Sequence, residues 1–338
     1  MSRAPRVVAA GHICVDLTPG LRAAPSGAPG ALIDVGPLAT RVGGCVGNTA
    51  LALARLGVEV QAQAVVGDDA LGTIARADLQ RAGIGAEGVV AAPLATSYSV
   101  VIEPPGVDRT FWHHTGANEL FDGARVVLDG ADALHVGYPS LLPALVDDAG
   151  APFAALLRRA KAAGATTSVD LAVVDPAGPA GAVQWDRVLA AVGEHLDVVT
   201  PSYDDLASMW RDASEWSIGT ERAYARRLLD HGVAVVAISA GSRGLAVYTA
   251  DRERLRRAGG PLASRAESWA DRAFRHEVPA VVRPRSTNGA GDASTAGFLA
   301  ALLRGDDPRQ AAERAARSAR AVLCGEGDTS PAAGPGRG

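Results

Sequence analysis

Short apolar runs of strand length alternate with longer amphipathic runs over most of the chain. Arg6–Ala10 reads as a first buried strand, because the apolar residues after the arginine are not interrupted by charge. Asn48–Leu56 repeats alanine and leucine at helical spacing and stops at Gly57, a residue type suited to a helix C-cap. Val58–Val66 follows as a strand and Leu71–Ala82 as a helix closed by Gly83. Further on, Ala133–Val136, Thr166–Asp170, Asp197–Thr200 and Val233–Ser239 read as strands. Pro152–Ala163 and Glu221–Asp230 read as helices. Strands that alternate with helices predict an α/β fold, a mostly parallel sheet with helices on both faces.

Three stretches break the alternation. Ser97–Glu103, the turn Pro104-Pro105-Gly106 and Arg109–His114 read as a β-hairpin. Thr18–Thr40 is rich in Gly, Pro and Ala. With the hairpin it forms either a small β flap outside the main sheet or a surface loop, and for Gly20–Gly30 the loop is expected. Asp251–Glu277 is charged, lacks a clear period and is expected as an exposed insertion. The tail Ser330–Gly338 is expected to be disordered.

Composition excludes several classes of function. With 338 residues, 48% hydrophobic and 21% charged, the chain is an ordinary globular one of about two domains or one large domain with an appendage. A net charge of −4 favours neither nucleic acid nor an anionic membrane. Cys14, Cys45 and Cys324 are far apart, which argues against a disulfide scaffold or a cysteine zinc site and fits a reducing cytoplasm. The N-terminal apolar run is too short for a signal peptide. No stretch approaches the roughly 18 apolar residues of a membrane helix. The only lysine, Lys161, lies in a helical run with no glycine-rich loop before it, so a Walker A loop and a protein-kinase strand lysine are both absent. Phosphate, if bound, must be held by backbone amides, metal or arginine.

A phosphate-binding end of that kind is present. The expected strand Ala280–Arg283 runs into Asn288-Gly289-Ala290-Gly291-Asp292 and then a helix. Glycines allow a ligand close to the backbone, and the unpaired amides of a first helical turn favour an anion. Asp292 has a plain explanation as a helix cap. Beside a phosphate it has a second, as the general base that takes a proton from an attacking hydroxyl.

These residues resemble the carboxy-terminal signature D-T-x-G-A-G-D of the ribokinase-like (PfkB) carbohydrate kinases. Five other runs agree in order. Val42–Gly57 resembles that family's amino-terminal signature, and Gly67–Gly72 its G-x-D-x-x-G run. Gly11–Asp16 resembles its first strand end, Gly106–Asn118 its lid strand with the following G-A-N, and Ser239–Gly244 its T-x-G-x-x-G. The resemblance spans residues 6 to about 325. It implies a three-layer α/β/α fold with a mostly parallel central sheet and a small β-sheet lid. The core would comprise 1–12, 43–95 and 116–329, and the lid 13–42 and 96–115.

The resemblance also implies roles. Asp16, Gly43, Gly44 and Asn48 would bind a sugar, and Arg109 on the lid would touch substrate or phosphate or simply be solvated. Gly289, Ala290 and Gly291 would donate amides to the transferred phosphoryl group, with Asp292 as base. Ser202, Ser239, Gly241, Gly244 and Asn288 would border ATP, and Asp205 would hold Mg²⁺ through water. The tandem His113 and His114 on a strand point to opposite faces and make a poor metal site.

Two departures stand out. Ser286 replaces the usual aspartate before the last signature, and Ser202-Tyr203-Asp204-Asp205 replaces the N-x-x-E run. They leave open the metal and phosphate dependence and the monovalent-cation activation seen in part of the family. The reading is therefore an ATP-dependent sugar kinase using Mg²⁺, with no nucleic-acid or membrane partner. Its open lid edges suggest pairing with a second copy. Alternatives are a nucleoside kinase of the same superfamily, a catalytically silent binding protein, and a nicotinamide Rossmann protein. Against the last, Gly11-His12-Ile13-Cys14 lacks G-x-G-x-x-G.

Overall fold

The apolar runs fold as strands buried on both faces, the pattern that parallel sheets require. In chain order the strands are β1 (Arg6–Gly11), β2 (Cys14–Gly20), β3 (Gly36–Gly43), β4 (Glu59–Gly67), β5 (Gly85–Ala92), β6 (Tyr98–Ile102), β7 (Thr110–His114), β8 (Ala133–Gly137), β9 (Thr166–Asp170), β10 (Val198–Val199), β11 (Val235–Ser239), β12 (Leu245–Thr249) and β13 (Ala273–His276). The helices are α1 (Gly44–Arg55), α2 (Ala70–Arg81), α3 (Pro143–Ala162), α4 (Trp185–Val192), α5 (Tyr203–Met209), α6 (Ile218–Asp230), α7 (Arg252–Arg256), α8 (Gly260–Ala263), α9 (Ala266–Trp269), α10 (Ala290–Arg304) and α11 (Pro308–Leu323). This computed structural model describes residues 3–25, 27–279, 281, 284 and 286–326. Apart from Val281, the strand expected over Ala280–Arg283 lies outside the described residues, as does the tail Ser330–Gly338.

Among the described residues, nine strands form the main sheet in the order β13-β12-β11-β10-β9-β8-β1-β4-β5. From β11 to β5 every pair is parallel, and β12 and β13 close one edge as an antiparallel extension. Parallel order aligns all the carboxyl ends, so Gly11, Gly67, Gly137, Asp170 and Ser239 end on one rim. Open α/β sheets bind ligands along that rim. The faces are covered by separate apolar layers. One is built on α3, α4, α5 and α6, and the others involve α1, α2, α10 and α11.

The second sheet has the order β3-β2-β6-β7 and stands off the rim. Thr18–Thr40 and the Pro104-Pro105-Gly106 hairpin therefore do join in one flap, while residues 21–35 stay outside the strands. Two residues, His12 and Ile13, link β1 of the core to β2 of the flap. Asn118 fixes this link: its Oδ1 accepts from Ile13 N (3.2 Å) and its Nδ2 donates to Ile13 O (2.9 Å). The Gly67–Gly72 run secures the far end. Asp69 caps α2 and accepts from Gly72 N (2.8 Å) and from Thr96 N and Oγ1 (both 2.7 Å). Both motifs thus anchor the flap to the core.

Expectation and structure differ over Asp251–Glu277, which is a packed segment and not an exposed insertion. Leu255, Leu262 and Trp269 are fully buried. Gly259-Gly260 and a turn at Ser264-Arg265 break the run into three short helices, which hides any helical period. A buried charge network ties it down. Asp197 accepts from Lys161 Nζ (2.6 Å), from Arg254 Nη1 (3.4 Å) and from the backbone N–H of Gly259 (2.8 Å) and Thr167 (3.1 Å). The single lysine thus serves the fold. Removing one partner of a buried pair strands the other charge, at a cost of about 3–5 kcal/mol. Asp197→Ala is expected to lower the unfolding free energy by about that amount in urea denaturation. A loss within measurement error would show that the network is not structural.

Candidate active site

The helix α10 begins at Gly289, which sits in the left-handed region at φ 77°, a conformation glycine adopts without strain. The Ala290 N–H folds back on Thr287 O (3.3 Å); among the described residues the N–H groups of Gly289, Gly291 and Asp292 have no partner. Gly291 is exposed, and nothing lies within 4 Å of where its Cβ would be. A small cleft lined by Thr200, Ser239, Leu245, Gly291, Ser294 and Thr295 joins this helix start to the end of β11. The helix dipole adds to the attraction for an anion there.

Asp292 is buried and turned to the floor of the site. It accepts from Asn48 Nδ2 (3.1 Å), Thr49 Oγ1 (3.1 Å) and Tyr138 OH (2.9 Å). Burial pushes its pKa up to about 7, against the opposing pull of these donors and of the Cys45 thiol. A carboxyl held near neutrality beside free amides suits proton transfer. Tyr138 and Thr49 are contacts that sequence reading missed. Tyr138 is in the left-handed region at φ 56°, which is strained for a non-glycine residue and is a mark of functional positions. A sequence gives no direct sign of that strain.

Asp170, at the end of β9, was also missed. Its carboxyl is pushed well above the usual range, first by burial and then by the charges of Asp292 and Asp205. Thr295 Oγ1 donates to it at 3.3 Å. Cys45, Asp170 and Asp292 present one ligand atom each within 4.8 Å of one another. A thiol is a poor donor for Mg²⁺, whereas carboxylate oxygens are good ones, so Asp170 with Asp205 is the better match. One oxygen of Asp205 is committed to a capping box on α5, accepting from Ser202 N (2.7 Å), while Ser202 Oγ accepts from Asp205 N (3.1 Å). Burial lifts its pKa to about 6.

The other predicted residues fall in two groups. On the flap side, Asp16 is buried on the inner face. Burial raises its pKa despite the Asn288 and Cys14 contacts and the charge of Arg41. A Cβ on Gly43 would lie 2.5 Å from the Asp16 carboxylate, and one on Gly44 would lie 2.6 Å from the His12 ring. The two glycines are therefore needed for α1 to start this close to the flap. Arg109 lies at the foot of β7 and donates to Thr287 Oγ1 and to Asp108. Asn288, expected beside the nucleotide, instead donates to Asp16 Oδ2 (2.9 Å).

On the other side, an isolated parallel bridge sets Ser202 beside Ser239. Gly241 and Gly244 turn the chain from β11 into β12. A Cβ on Gly244 would strike His276 O at 2.2 Å, so close packing against β13 requires glycine there.

A family model described as pfkB family carbohydrate kinase matches residues 4–333. The ATP-dependent ribose-1-phosphate kinase of Halopiger xanaduensis is 31% identical over 318 residues, covering 92% of this chain and 89% of that protein. The fructokinase of Rhizobium leguminosarum bv. trifolii is 28% identical over 235 residues, covering 66% and 69%. Among solved structures, Arabidopsis thaliana ribokinase complexed with ribose and ATP superposes with a TM-score of 0.68 at 17% identity, covering 95% of this chain and 93% of that one.

Burial of Asp292 has a cost for the fold. A carboxyl whose pKa is raised on folding costs stability as pH rises from about 4, its ordinary range, to the folded value of about 7, and above that the full cost persists. Asp292→Asn removes that charge and keeps the hydrogen-bonding shape. It is expected to raise Tm by about 5 °C at pH 8 and by less at pH 5, measured by calorimetry. An equal or opposite effect at the two pH values would contradict a strained, buried carboxylate.

Proposed function

The chain belongs to the pfkB family of carbohydrate kinases, and we propose that it transfers the γ-phosphate of ATP to a hydroxyl of a small sugar with Asp292 as general base. Enzymes of this family are phosphotransferases with an alcohol acceptor, and the family uses ATP. The observation that supports the assignment most is the buried Asp292 carboxyl, raised to about 7, one residue from the open amides of α10. The sugar lies between the flap and the rim, against Asp16, Gly43, Gly44 and Asn48. Its acceptor oxygen attacks the γ-phosphorus, Asp292 takes the proton, and ADP leaves.

The amides of Gly291 and Asp292 stabilise charge on the moving phosphoryl group and need no lysine. Ser202, Ser239, Gly241 and Gly244 border the nucleotide. Mg²⁺, held through water by Asp170 and Asp205, would offset phosphate charge. The substitutions at Ser202 and Ser286 leave the need for a monovalent cation to titration with K⁺. Closure of residues 13–42 and 96–115 over the sugar excludes water, so that ATP is not hydrolysed.

The flap also suggests how the chain associates. The strand pairings put Pro19, Leu38, Leu17, Val100 and Trp112 on one face of the flap, opposite the face bearing Asp16, Ser99 and His113. Leu38 is 58% and Trp112 61% exposed. A second copy packed on this face would cover it. Light scattering is expected to give a dimer that Trp112→Glu dissociates, and a wild-type monomer would remove the proposal.

The kinase assignment has two tests. First, ADP release is measured over a panel with ribose, fructose, ribose 1-phosphate and adenosine. Turnover of a sugar is expected, and turnover of adenosine alone would make the enzyme a nucleoside kinase. Second, Asp292→Asn is expected to lose roughly 10²–10⁴-fold in kcat while still binding sugar in calorimetry. Unchanged turnover would exclude Asp292 as base. For the wild type, kcat/KM should rise with pH through about 7 as Asp292 ionises. Tyr138→Phe removes a donor to the carboxylate, so that rise should move to higher pH, whereas an unmoved profile would deny Tyr138 any hold on the base.

A further inference from the structure

We propose that the imidazole of His12 reads a hydroxyl of the bound polyol and thereby sets which sugars the enzyme accepts. The proposal rests on the sugar-kinase assignment above. His12 lies in the two-residue link from β1 to β2, where the core passes into the flap. Its ring is 5.1 Å from that of His113 on the inner face of the flap and 5.6 Å from that of Tyr138 at the rim, centroid to centroid. Gly44 closes a third side, since a Cβ there would stand 2.6 Å from His12 Nδ1.

Tyr138 OH is spent on Asp292, and His113 Nδ1 lies 3.0 Å from Ser99 Oγ. His12 is 2% exposed, and both its ring nitrogens are buried without a partner. Buried polar atoms are nearly always paired, and a pair of unpaired ones between the walls of a ligand cleft points to a partner supplied by the ligand.

The chemistry of the ring narrows that partner. Burial, with His113 beside it, holds the pKa of His12 well below the usual value, so the ring is neutral. A neutral imidazole offers one donor and one acceptor. A hydroxyl can meet either nitrogen, donating to the bare one or accepting from the N–H, whereas a phosphate oxygen can serve only the N–H. His12 therefore extends polyol recognition beyond Asp16 and Asn48 to a hydroxyl at the hinge of the flap.

The experiment compares wild type with His12→Phe and His12→Gln on the best sugar and on its monodeoxy analogues. Phe keeps a flat ring between His113 and Tyr138 but removes both nitrogens. With the full sugar, His12→Phe is expected to raise KM about 10–100-fold with kcat changed by less than about threefold, and His12→Gln to recover part of the loss. One monodeoxy analogue should show no such penalty, because the hydroxyl that His12 reads is already gone. Melting should show His12→Phe at least as stable as wild type, since it removes two unpaired buried atoms. Equal losses on every analogue, or wild-type discrimination by His12→Phe, would overturn the proposal. If His12→Phe does not fold, the same comparison with His12→Gln decides. If the wild type phosphorylates no sugar, the kinase assignment fails before this comparison begins.

Discussion

The structure depends on keeping one carboxyl, Asp292, dry at the start of a helix whose amides still face outward. Water would lower its pKa and fill the anion site. The fold prevents this by seating Asp292 between α1 and the end of β8, with Asn48, Thr49 and Tyr138 as its partners. Those donors pull the pKa down while burial pushes it up, and the two effects balance near neutrality. Neither effect alone would hold the carboxyl near neutrality: burial raises its pKa, and hydrogen bonds to the charged form lower it.

The same constraint explains the hydrogen bonds between the flap and the phosphate loop. Glu103 accepts from Ser286 Oγ (3.2 Å) and Thr287 N (3.3 Å), and Asp108 Oδ1 accepts from Thr287 Oγ1 (3.0 Å). Asn288 reaches Asp16 on β2. The residues leading into α10 are thus bonded to the second sheet. Serine at 286 fits this arrangement, because its hydroxyl can donate to Glu103, whereas an ionised aspartate there would repel it.

Much of this was legible in the sequence, for physical reasons. A parallel strand buried on both faces favours a short apolar run, so β1, β8 and β11 could be read within a residue or two, and β4 and β9, which carry polar residues as well, could be read as closely. The Gly-Ala-Gly-Asp run was legible because few residue types permit that turn. What escaped was set by packing across distant segments. Tyr138 and Asp170 are ordinary residues at strand ends, and their meeting with Asp292 depends on sheet order, which no local pattern encodes. Asp251–Glu277 looked exposed because its charges are plentiful, yet Arg254 is buried against Asp197. Asn288 looked nucleotide-facing by its place in the motif, but its side chain turns to the flap.

The distribution of charge gives a final constraint. Asp16, Asp170, Asp205 and Asp292 are all buried around the site, and each has its pKa raised first by burial. No lysine stands on the floor to balance them, since Lys161 is bound to Asp197 far along the chain. Positive charge comes from the flap: Arg41 pairs in register with Asp16, and Arg109 is bonded to Thr287, two residues before Gly289. A permanent cation on the floor would pull the pKa of Asp292 down and weaken it as a base. Arg41 on β3 and Arg109 beside β7 lie on the flap, and neither is among the groups that hold the Asp292 pKa. The absence of lysine from the site is thus a condition for Asp292 to titrate near neutrality.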